Sequence, residues 1–270
     1  MGYCVNRPTV GRVGALGAVR PGERSIAGYL VLTFFLLSAG LAVGRGTADA
    51  LFFKRYGIEY LPVMFLALSV LLAAVSAVYA AFVDRVPAER SGLVIGGVLL
   101  AVLVAGWWGM TASDAEALYP AYYLTYEVAS ELLLVHAALY LSQNLDTQAA
   151  KRLSPLVFAG GQVGTVSGGL LLGLAASHAQ VQNLLLLWAA FLFAGIVATI
   201  LWHRRQGTSA YYRAPRREPH PLRAAVGQVA EGVRLAGRSA LVRQASLAMF
   251  FLVIAFYVLC YAVNRVYITA

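Results

Sequence analysis

The chain has 270 residues, of which 60% are hydrophobic and 12% charged, with a mean hydropathy of +0.71 and a formal net charge of +9. A soluble domain of this size carries charge on about a quarter of its residues, so a water-exposed globular fold is excluded. The lysines and arginines gather between apolar runs and form no aromatic-interleaved surface, which excludes a nucleic-acid partner.

Several apolar runs exceed the ~18 residues that span a bilayer, and the sequence predicts an all-α polytopic membrane protein with lipid as its main partner. Spans are predicted at 26–50, 60–83, 91–112, 117–142, 155–177, 182–203 and 243–267. The first follows a basic tail, 1–25, as a signal peptide would. Its apolar run is longer than the 7–15 residues of a signal core, so a retained span is expected even though Ala48-Asp49-Ala50 mimics a cleavage site. The two cysteines, Cys4 and Cys260, lie too far apart in sequence to suggest a disulfide framework or a metal site.

Span one ends in GRGTADALF, 44–52. Arg45 and Asp49 stand four apart and share a helix face, where they can pair and lower each other's burial cost. If the helix instead ends near Gly44, the two are ordinary interfacial charges. Between spans two and three lies VDRVPAER, 83–90, with Asp84, Arg85 and Arg90.

Span four contains YYLTYEVASELLLVHAALYL, 122–141, with Glu127, Glu131 and His136 inside an apolar run. A charge near the bilayer centre costs at least ~2.5 kcal/mol, so these residues need a reason to be there. Glu127 and Glu131 share a face and are expected to line an aqueous cavity; alternatively one of them pairs with an arginine to lock the bundle. Like charges one turn apart repel, so a proton could also be held between them. His136 falls on nearly the opposite face and is expected to pack against another helix.

Span five carries Gly160, Gly164 and Gly168 at four-residue steps, with Gly161, Gly169 and Gly173 on an adjacent ridge. Small residues at this spacing let two lipid-embedded helices approach closely. Tight packing is the default expectation, and a sliding or hinge surface is the alternative.

After the six-helix bundle, 26–203, comes a basic loop, 204–242, that holds most of the chain's between-span arginines, and then the final span within 243–270. Inside the loop, 221–238 has apolar residues at helical spacing and reads either as an amphipathic surface helix or as a solvated linker. The lysine and arginine bias puts the N-terminus and this loop in the cytoplasm. Six close spans, a long basic loop and a further span match a transporter of two six-helix halves, read into its second half. No catalytic triad, metal-ligand cluster or cofactor-binding motif appears, so neither an enzyme nor a cofactor is expected.

The segment 83–90 resembles the loop signature of the major facilitator superfamily in Asp84, Arg85 and Arg90, with Ala80 where a glycine is usual. Three pieces are similar to the ATP/ADP translocase (nucleotide exchange transporter) family and its bacterial relatives: VRPGERS, 19–25; GRGTADALF, 44–52; and NLDTQAAKRLSPLVFAGGQVGTVSGG, 144–169. The resemblance implies the N-terminal bundle of a major-facilitator-type fold, with the second half in a missing segment or another chain. It implies substrate handling by Arg45 and Glu127, with Asp49 and Glu131 beside them, and a conformational latch at Asp84, Arg85 and Arg90. Ala48 stands where the family has a lysine, which weakens ATP and ADP as the solutes; a small anionic or nucleotide-like molecule, or another small solute, fits equally well. A multi-pass protein of the plasma or inner membrane follows, working by alternating access. The alternative is a non-transporting anchor or sensor on the same fold.

Overall fold

The computed structural model describes residues 19–83, 86–113, 115–178, 180–206 and 239–269, together with residues 227, 234 and 237. Among them the chain is helical with no strand, and seven helices are long and apolar enough to cross a membrane. Helices suit such a sequence because every backbone polar group is satisfied within the segment, where lipid offers no partner. They are α1 (Arg24–Tyr56), α2 (Leu61–Val83), α3 (Ala88–Ala112), α4 (Leu118–Asn144), α5 (Thr147–Ala176), α6 (Leu184–Gln206) and α7 (Ala240–Thr269).

All seven expected spans are present, and the differences lie at their ends. The first does not stop near Gly44. It runs to Tyr56, making α1 33 residues long, or about 50 Å at 1.5 Å per residue. That exceeds the ~30 Å hydrocarbon layer, so its basic end, Lys54 and Arg55, reaches beyond it. Gly57 ends the helix with φ +74°, a conformation that suits glycine, and its N–H bonds the Phe53 carbonyl at 3.1 Å. The fifth helix begins well before Pro155. Asp146 caps it by accepting the Ala149 N–H at 2.6 Å, and Pro155 lies inside the helix.

The long first helix is the hub, packing against α4, α5 and α6. Its most extensive interface is with α5, and the glycine steps explain why. A methyl group on Gly164 or Gly168 would overlap the backbone at Phe35 and Ala39, and one on Gly160 would lie 2.7 Å from a Val31 methyl. The two helices meet at backbone distance, as small-residue seams in lipid allow. The adjacent ridge divides: Gly161 faces Ser38, whereas Gly169 and Gly173 face open space.

Two aromatic clusters fill the bundle. In one, fully buried Trp188 of α6 meets the ring edges of Tyr122 and Tyr126 at 6.2 and 5.4 Å, and Phe52 lies 4.9 Å from Tyr123. In the other, Tyr29 stacks on Trp202 at 4.5 Å and its hydroxyl lies 2.8 Å from that of Tyr140. The outward faces of α2, α3 and α5 carry exposed Leu66, Val70, Val98, Val166 and Leu170. Such residues suit a lipid surface. The seventh helix leaves its apolar window unburied and meets the bundle beside residues 58–60, with Tyr257 and Phe65 at 4.6 Å.

Asp84 and Arg85 lie outside the described residues, as does most of the 221–238 segment. Arg90, the third expected latch residue, is exposed in the first turn of α3.

Candidate functional site

Continuation of α1 beyond Gly44 carries Arg45 and Asp49 into the bundle. Arg45 lies eleven residues before the end of α1, about 16 Å along the axis, and Glu127 lies nine residues into α4, about 14 Å. Both lie more than two helical turns from the nearer end of their helices. The flanking glycines make room for this turn: a methyl on Gly44 would stand 2.8 Å from the Trp188 indole, and one on Gly46 would meet Leu172. Bulkier neighbours would hold α6 and α5 away from Arg45.

The arginine is shared by two carboxylates. Its Nε donates to Asp49 Oδ2 at 3.1 Å, and its Nη1 donates to Glu127 Oε1 across the α1–α4 interface. Its Cζ also lies 5.8 Å from the centre of the Tyr126 ring. Tyr126 adds a second tie between the helices, its hydroxyl donating to the Leu41 carbonyl at 3.1 Å. Glu127 is buried, with 7% of its surface exposed. Asp49 Oδ1 is buried and accepts no hydrogen bond among the described residues.

In front of this pair opens a cleft of about 370 Å³ between α1, α4, α5 and α7. Arg45, Glu127 and Glu131 line it, with Gln162 and Thr165 from α5 and Tyr257 from α7. Glu131 is exposed there, near the midpoint of α4, and makes no hydrogen bond or ion pair among the described residues. The structure thus brings Arg45, Glu127 and Glu131 to one cavity, while Asp49 holds the arginine from one turn further along α1 and does not line the cleft.

Both readings of the glutamates find a place here. Glu127 pairs with an arginine, and Glu131 faces open space. His136 points elsewhere, as its angular position requires. Its Nε2 lies 2.9 Å from the Ala88 carbonyl and its Nδ1 lies 3.1 Å from the Tyr79 hydroxyl. A carbonyl only accepts, so Nε2 carries the proton and Nδ1 accepts from the tyrosine. The histidine joins α4 to α2 and α3.

A second polar centre has no counterpart among the sequence expectations. Buried Glu89 in the first turn of α3 lies 3.6 Å from His203 Nδ1 of α6. From His203 a chain runs to Tyr140 at 3.4 Å, to Tyr29 at 2.8 Å and on to Thr199 at 3.2 Å. Glu89, Tyr140 and Thr199 border a cavity of about 110 Å³ between α1, α3, α4 and α6. Glu89 had read as a loop charge within VPAER. An ion pair between Arg152 and Glu23 at 2.7 Å also ties the start of α5 to the lead-in before α1.

Among the described residues no group of three or more His, Cys, Asp or Glu side chains could hold a metal ion. The chain matches no protein-family model, no curated protein and no solved structure.

Proposed function

We propose that the protein is a secondary transporter moving a small solute across a plasma or inner membrane, its N-terminus in the cytoplasm. The α1–α4–α5–α7 cleft is its solute site. The carrying observation is a polar cavity between helices long and apolar enough to cross a membrane, opening on a charge network that bridges two of them. Intramembrane ionisable groups that face a cavity mark solute and ion pathways. In alternating access two bundles rock about such a site and expose it to each side in turn. Arg45 and Glu127 belong to different helices, so movement of α4 against α1 opens or closes their ion pair. A second helical bundle, in this chain or another, packs against the exposed face of α7 and forms the facing wall. Asp84, Arg85 and Arg90 form the latch on the cytoplasmic side, as the resemblance to the major facilitator superfamily implies.

One observation favours a second reading, a non-transporting anchor or sensor. Such a module would keep its intramembrane charges paired, and Arg45, Asp49 and Glu127 are paired. Glu131 and the open cleft support the transporter instead.

Side-specific labelling separates the two. With Cys4 and Cys260 replaced by serine, Gln162→Cys places a thiol in the cleft. In vesicles of either orientation, a membrane-impermeant thiol reagent is expected to modify it from both sides. Reaction from one side only, whatever solute is added, sinks the transporter reading.

A further inference from the structure

The charge inventory of the cleft points away from an anionic solute. Arg45 is the only Lys, Arg or His among the described residues that line it. Two of its N–H groups are already engaged by Asp49 and Glu127. An anion taking the remaining N–H groups would stand beside both carboxylates. Glu131 adds a third carboxylate, exposed in the cleft one turn from Glu127 and without a cation among the described residues. Three acids against one base leave the region acidic. At this depth the low dielectric strengthens the attraction for a positive charge.

The remaining walls suit an organic cation. Tyr126, Phe256 and Tyr257 line the cleft, and aromatic faces attract ammonium groups and shelter their alkyl parts. A volume of about 370 Å³ falls in the range of small-molecule sites, ~300–1,000 Å³. We propose that the cleft binds a monovalent organic cation, its ammonium on Glu131 and its apolar part against Phe256 and Tyr257. This rests on reading the cleft as the solute site.

Two amines, butylammonium and phenethylammonium, test the proposal against two anions, ATP and succinate, on the purified full chain at matched ionic strength. At least one amine is expected to raise the thermal midpoint in a concentration-dependent way, and neither anion is. Glu131→Gln should weaken amine binding about tenfold or more, the scale of one charge-assisted hydrogen bond. Glu131→Asp, which keeps the charge, should retain most of it, and Glu59→Gln, outside the cleft, should change nothing. Because Glu131 is exposed and makes no hydrogen bond or ion pair among the described residues, the Gln variant should fold. Absence of a shift with both amines overturns the proposal, as does an amine shift unchanged in Glu131→Gln.

Proteoliposome uptake keeps the two ideas distinguishable. Amine binding without amine flux supports the cation site and counts against transport. Flux of ATP or succinate without amine binding supports transport and overturns the cation site.

Discussion

Arg45 serves two acids, and the arrangement is asymmetric. Removing Glu127 leaves the guanidinium with Asp49, whereas removing Arg45 strands two carboxylates at bilayer depth. Losing one partner of a fully buried pair costs about 3–5 kcal/mol. The Arg45 side chain is 36% exposed, which lowers the Glu127→Gln cost to about 1–3 kcal/mol. Arg45→Ala should cost more than Glu127→Gln in thermal unfolding of the purified protein. The double variant should be less harmed than the two single losses summed, because the shared interaction is lost only once. Equal losses that simply add would mean the pair does not couple α1 to α4. The i, i+4 spacing made the Arg45–Asp49 pair legible in the sequence, and the angular offset assigned His136 to another face. Glu89 was not legible, because its burial depends on His203 arriving from α6, a partner that no local pattern announces.

The same contrast holds for whole elements. Spans were legible because hydropathy alone forces a helix across lipid, but their ends were not, because caps are made by single residues. Asp146 starts α5 well ahead of its apolar run, and α1 continues past its expected end at residue 50 to Tyr56. The glycine ridge of α5 was legible as a packing surface, whereas which of its glycines meet a neighbour depends on the rotation of α5 against α1. Gly164→Ala and Gly168→Ala should each lower stability by about 1–3 kcal/mol, the usual cost of overpacking, since the obstacle is backbone and cannot rotate aside. Gly169→Ala, facing open space, should be neutral or slightly stabilising. Thermal midpoints of the three variants check this, and equal effects at all three positions would refute the backbone contact.

At the scale of the whole molecule, seven crossings alternate the connections between two sides. The lead-in before α1 and the 145–146 turn fall on one side. The 57–60 and 177–183 segments fall on the other. Under the proposed orientation, which rests on the arginine and lysine bias, the first set faces the cytoplasm. In a chain with Cys4 and Cys260 replaced, Gln148→Cys should react with an impermeant reagent only from the cytoplasmic face, and Ser177→Cys only from the opposite face. The reverse pattern would invert the orientation, and reaction of both from one face would break the seven-crossing topology.

The seam between α1 and α5 also has a bearing on how the protein is made. The ribosome finishes α1 at residue 56, yet the glycines that cover its backbone at Phe35 and Ala39 lie beyond residue 147. Until α5 enters the bilayer, that stripe of α1 has only lipid or a protein chaperone against it. Three further helices are inserted during the wait, and in the finished bundle the stripe belongs to α5. The bundle's central helix is therefore among the last to be enclosed. A nascent chain stalled before α5 would show quality-control machinery an unfinished surface on its oldest segment.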